Sequence, residues 1–223
     1  MYLKYLLGAL MSFPLLPLMY YQGKKIRAKV TLLPEAIGKE GQYKAMENKL
    51  PLQFLFIGES TMAGVGVQTH EEGFAGSFSK AFSLLTSAPI HWKVYAKSGA
   101  TVSYVSKKMI PSITETEADF IVIALGANDA FRLNSPWKWK REINQLIRKL
   151  RTKFPQAKLV FCNMPPIKDF PAFTPLIKTI VGNLVELLGK ELQNAVRFEK
   201  DVLYCDENIT LERWISMFSL QNK

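Results

Sequence analysis

The sequence predicts an α/β fold, a five-stranded parallel sheet with helices on both faces. Three observations carry that expectation. From residue 51 onward, short apolar runs alternate with longer segments of helical periodicity. The runs at 52–57 and 120–125 are almost continuously apolar, as parallel strands buried on both faces are. The chain has 223 residues, 48% of them hydrophobic, enough for one domain of ordinary size with a real core.

Taken in order, residues 52–57 (Leu-Gln-Phe-Leu-Phe-Ile) are the first strand. Phe74, Phe78, Phe82 and Leu85 recur at helical spacing and predict a helix over 73–85. Residues 92–96 are the second strand, and 102–109 predict a short helix ended by Pro111. Residues 120–125 are the third strand. Ser135 is a good cap and Pro136 suits the first helical position, so a long amphipathic helix starts there. Its inner face is Ile143, Leu146, Ile147 and Leu150. Its outer face carries Lys140, Arg148, Lys149 and Arg151, read as a solvated basic stripe. A fourth strand at 159–161 turns at Met164-Pro165-Pro166. A helix over 174–196, a fifth strand at 202–204 and a helical turn around Trp214, Ile215, Met217 and Phe218 complete the order.

The amino-terminal part differs. Residues 5–21 carry no charge, so 1–22 read as a membrane-anchor-like segment, spanning or interfacial, although the length is marginal for a span and Pro14 and Pro17 would bend it. More cations follow than precede it, which places the globular domain on the cytoplasmic side by the positive-inside tendency. Residues 23–50 read as a linker and 51–223 as the folded domain. The formal net charge is +10. It is not accompanied by zinc-finger spacing, an RNP-like aromatic pattern or a Gly-x-x-Gly clamp, so no nucleic-acid partner is expected. Two cysteines, Cys162 and Cys205, are too few for a disulfide framework or a metal site and read as buried thiols at strand ends.

The chemistry gathers where three strands end. The first runs into Gly58-Glu59-Ser60-Thr61-Met62-Ala63-Gly64-Val65-Gly66, which holds the Ser60 hydroxyl at the carboxyl edge of the sheet. Lys97-Ser98-Gly99-Ala100-Thr101 follows the second strand, and Gly126-Ala127-Asn128-Asp129 the third. A serine nucleophile needs donors aimed at the developing oxyanion. The backbone N–H of Gly99, the side-chain amide of Asn128 and the N–H of Ser60 are the candidates. The α/β-hydrolase elbow is excluded because position 62 is methionine, and the dinucleotide fingerprint because Gly64 and Gly66 lack a third glycine.

These blocks resemble the SGNH, or GDSL-type, hydrolase family: Gly58-Glu59-Ser60, with Glu59 for the usual aspartate, then Gly99, then Gly126-Ala127-Asn128-Asp129. The extension through Val67 is similar to a bacterial branch of that family. The resemblance implies a flavodoxin-like three-layer sandwich, Ser60 as nucleophile, and Gly99 and Asn128 as oxyanion donors. It implies hydrolysis of a small acyl-ester substrate, lipase- or thioesterase-like, with no cofactor and no metal. The family's last block, an aspartate followed three residues on by the catalytic histidine, is expected after Met217-Phe218. The residues there are Ser219-Leu220-Gln221-Asn222-Lys223. The expectation is therefore a carboxyl-terminally truncated domain lacking its terminal helix, and either a weakened hydrolase or an inactive, membrane-tethered binding protein. Loss of a triad member costs on the order of 10⁴ to 10⁶ in rate. Of the two histidines, His91 precedes the second strand and belongs to the opposite edge. His70 lies in the loop after Ser60 and is the only substitute base on the correct edge.

Overall fold

The computed structural model describes residues 2–29, 33–44 and 50–207. Its strands are β1 (Glu40–Tyr43), β2 (Leu52–Gly58), β3 (Ile90–Ala96), β4 (Phe120–Ala124), β5 (Lys158–Cys162) and β6 (Val202–Cys205). They form one sheet in the order β1-β3-β2-β4-β5-β6. All five expected strands are present, and β3, β2, β4, β5 and β6 pair in parallel.

The sixth strand is a correction to the expected count. β1 pairs antiparallel to β3 at the edge and comes from the stretch read as a linker. Its sequence, Glu-Gly-Gln-Tyr, has no apolar alternation to announce it. Around it the backbone is tied down: Val94 N–H donates to Lys39 O (2.7 Å), Ala36 N–H to Ala63 O (3.0 Å) and Ile37 N–H to Gln68 O (3.1 Å).

The central strands bury both faces. Leu55, Ile57, Ile121, Ile123, Leu159 and Phe161 belong to one core, and Phe54, Phe56, Trp92, Val94 and Val122 to the other. The second core is covered by α3 (Phe74–Thr86), whose Phe74, Phe78 and Phe82 join Phe54, Phe56 and Phe120 in a ladder of ring contacts. Leu85, expected on that face, is 86% exposed in the last turn.

The first core is covered by the remaining helices. α4 (Val102–Tyr104) runs through a π turn (Val105–Met109) into α5 (Ile110–Ser112). The continuous helix ends at Ser112, one residue past Pro111, as expected. After the short α6 (Ala127–Phe131) come α7 (Pro136–Lys153) and α8 (Pro175–Val196). Ser135 accepts from Lys138 N–H at 3.4 Å and caps α7 as expected. Trp139, Ile143, Leu146, Ile147 and Leu150 are all buried on its inner face, each worth about 1.5–3 kcal/mol. Its basic face is only partly a solvated stripe. Lys140 pairs with Glu191 at 3.6 Å, Lys149 donates to Ser106 O at 2.8 Å, and Arg151 donates to Lys200 O and Asp201 O at 2.6 and 2.9 Å. These cations fasten α7 to its neighbours.

The amino-terminal segment is a correction to the spanning-anchor expectation. It forms α1 (Tyr2–Ser12) and α2 (Leu16–Lys29) with a 3₁₀ turn (Phe13–Leu15) around Pro14. Among the described residues no helix is long and apolar enough to cross a membrane. The segment lies against the domain: Tyr2 and Tyr5 pack on the Trp137 ring, and Thr174 Oγ1 donates to Gln22 Oε1 at 2.6 Å. The helical turn expected near Trp214 and the tail at 219–223 lie outside the described residues.

Candidate active site

The strand order puts the reversal of direction between β2 and its neighbours, and crevices form at the carboxyl ends of strands at such a point. The three sequence blocks converge there on one carboxylate. Glu59 is 5% exposed. Its Oε1 accepts from Ala127 N–H (3.0 Å) and its Oε2 from Asn128 N–H (3.1 Å) and from the Asn128 side-chain amide. That same amide donates to Ala100 O at 3.2 Å. The loops after β2, β3 and β4 are thus joined through Glu59, Ala100 and Asn128. Burial pushes the Glu59 carboxyl up from 4.5 to about 7, against the pull of the Asn128 and Ala127 N–H groups.

A second buried carboxylate braces the same loops. Asp129, 1% exposed, accepts from Val102 N–H and from the Asn134 side-chain amide, both at 3.0 Å. Burial raises it from 3.8 to about 6. Its Oδ2, taking the Val102 N–H, satisfies the first donor of α4. Gly126, at φ +130°, makes the turn into α6; a Cβ there would lie 2.2 Å from the Met164 sulfur.

Ser60 lies just past Gly58 at the mouth of a cavity of about 650 Å³. Its backbone carbonyl accepts from Val65 N–H (3.1 Å), and its hydroxyl has no hydrogen-bond partner among the described residues. Met62, Phe74, Met164, Pro165, Pro166 and Phe170 give the cavity apolar walls of the size and character usual for small-molecule sites. Cys162 and Cys205 also line it, in register on β5 and β6. Cys162 is half-buried with its thiol pushed up to about 12 by burial, whereas Cys205 is exposed, not buried as expected. Asn163 shapes the far wall, accepting from the Tyr204 hydroxyl at 2.7 Å.

The expected oxyanion donors are at the right edge but do not line this cavity. Gly99 adopts φ +78° in a turn closed by Ala100 N–H to Lys97 O (3.1 Å), which leaves its own N–H without an acceptor among the described residues. The Asn128 amide is engaged by Glu59 and Ala100. It reaches a substrate oxygen only by exchanging one of these acceptors.

His70 is 2% exposed and sits away from the cavity. Its N–H donates to Ile37 O (2.9 Å), its carbonyl accepts from Gly76 N–H (3.0 Å), and its ring lies under Gly64. No hydrogen bond joins its ring to Ser60, and burial lowers its pKa. His91 is on the opposite edge as expected, exposed, 3.5 Å from the Gln53 amide. The sequence reading missed the cavity walls at 163–171. Only the Pro165-Pro166 pair signals a rigid turn there.

The sequence profile of the GDSL-like lipase/acylhydrolase family matches residues 56–207, more than half of the chain. The chain belongs to that family. Solved structures with the same fold include an extracellular lipase of Streptomyces rimosus, 13% identical with a TM-score of 0.53, over 72% of this chain and 82% of that one. An acetylxylan esterase of Geobacillus stearothermophilus is 14% identical, TM-score 0.54, over 76% and 82%. The lipase Lip_vut3 from a goat rumen metagenome is 16% identical, TM-score 0.53, over 73% and 88%. No curated protein matches the chain. At these identities the structural likeness establishes the flavodoxin-like SGNH fold, and the family match carries ester hydrolysis at a general level.

Proposed function

We propose that this chain carries an acyl-ester hydrolase site in which Ser60 is the nucleophile and the cavity beside it takes the acyl group. The observation that supports it most is the placement of Ser60. Its hydroxyl, unpartnered among the described residues, stands at the carboxyl end of β2 in the lining of an apolar cavity, in a chain of the acylhydrolase family. In the reaction the Ser60 oxygen bonds to the acyl carbon as the ester C–O bond breaks, and the hydroxyl proton leaves with the alcohol. Water then cleaves the Ser60 ester and releases the acid. The N–H groups of Ser60 and Gly99 are the oxyanion donors in this reading, with Asn128 joining by giving up Ala100 O.

No histidine has a role in this reading, because neither ring is hydrogen-bonded to Ser60 among the described residues. With no base in contact among the described residues, acceleration over water in this reading is roughly 10³–10⁴, from oxyanion donors and binding. The same observation favours a second reading, an ester-binding pocket with no turnover. Hydrolysis of short p-nitrophenyl esters by the purified chain separates the two. Turnover abolished in Ser60→Ala supports the hydrolase; turnover indistinguishable from buffer supports the inert pocket.

A further inference from the structure

The surface of the amino-terminal helices has no role in the site chemistry. α1 and α2 touch the domain along one stripe, with Tyr2 and Tyr5 on Trp137, Met19 and Ile26 against the core, and Gln22 on Thr174. Everything else on the outer side faces solvent. Leu3, Leu6, Leu7, Leu10, Met11 and Phe13 are between 52% and 75% exposed. Such a contiguous row far exceeds the scattered apolar residues of an ordinary surface. Tyr20 and Tyr21 follow, also exposed, and then Lys24, Lys25, Arg27 and Lys29, exposed and without an ion pair among the described residues. Residues 2–29 contain no acidic side chain.

We infer that this face is a docking surface for an anionic lipid bilayer, with α1 the deeper end of the segment and α2 reaching back to the headgroups. The order along the segment matches the layers it meets. Leucines and Phe13 enter the acyl boundary, the two tyrosines sit at headgroup level, and the four cations meet lipid phosphates. Charge separates this occupant from a second copy of the chain. A copy would bring another all-basic segment, on a molecule of net charge +10, against the first. The surface also meets the catalytic side of the domain: Gln22 bonds Thr174, the cap of α8, just beyond Phe170 and Pro171 on the cavity wall.

The test is flotation of the purified full chain with vesicles of phosphatidylcholine alone and of phosphatidylcholine mixed with phosphatidylglycerol. It is read without substrate, so it stands apart from the Ser60 chemistry. The wild type is expected to float with the anionic vesicles and to come off as salt rises. Lys24→Gln with Lys25→Gln is expected to weaken binding about fivefold per cation removed. Leu10→Ser with Phe13→Ser, at positions 73% and 72% exposed, is expected to weaken it at least tenfold with an unchanged thermal melt. Failure of the wild type to float with either vesicle overturns the inference. So does equal flotation of both variants, or a concentration-dependent dimer that these substitutions dissolve while no vesicle binds.

Discussion

Removing the Glu59 carboxylate should destabilise the domain out of proportion to one loop residue. In Glu59→Ala the N–H groups of Ala127 and Asn128 lose their acceptors, and the Asn128 amide keeps only Ala100 O. Each buried donor left unpaired costs about 1–3 kcal/mol. Relief from burying an acid offsets part of this, so the expected loss is about 2–5 kcal/mol. At about 2–4 °C per kcal/mol for a chain of this size, the melting temperature falls by roughly 5–20 °C. Glu59→Gln keeps one carbonyl oxygen facing the same donors but turns an NH₂ toward the others, and should lose about 1–2 kcal/mol. Urea unfolding followed by circular dichroism measures both, with the midpoint moving at constant slope. A loss under about 1 kcal/mol for Glu59→Ala would refute the view that this carboxylate joins the three loops.

The same group sets a pH dependence. Folded Glu59 keeps its proton up to about 7 where the unfolded carboxyl releases it near 4.5, so the folded state binds more protons between these values. Its stabilising contribution is full below about pH 4.5 and is lost as pH rises to about 7, an effect of about 3 kcal/mol that Glu59→Gln should remove from the unfolding profile; a wild-type profile parallel to the variant's contradicts it. Asp129→Ala strips the acceptor from Val102 N–H and the Asn134 amide, and should cost about 2–4 kcal/mol in urea unfolding, with Asp129→Asn milder. Gly126→Ala forces a Cβ onto the Met164 sulfur at φ +130° and should cost about 3 kcal/mol, read as a melting temperature lowered by roughly 6–12 °C.

The sheet was legible because its strands obey simple rules. Residues 52–57 and 120–125 are apolar on both faces and become neighbouring central strands, and Ser135-Pro136 starts α7 as its caps require. β1 was not legible, since four mixed residues form a strand only because β3 offers an edge. Pro111 was readable as well, since the helix begun at Val102 stops one residue past it. At the site, Ser60, Gly99 and Asn128 were readable from their strand-end loops. What the Asn128 amide bonds was not, because the partner is Glu59, a residue sixty-nine positions away. His70 showed the opposite failing: a loop position on the correct edge says nothing about burial, and the ring is packed under the Gly64 turn.

The central claim is that the Ser60 hydroxyl accepts an acyl group from an ester held in the apolar cavity. Intact-mass spectrometry after brief exposure to p-nitrophenyl acetate tests it most directly. The account predicts one acetyl adduct on the wild type, mapped by peptide sequencing to Ser60 and absent from Ser60→Ala. No adduct on the wild type, or an equal adduct on Ser60→Ala, would contradict it.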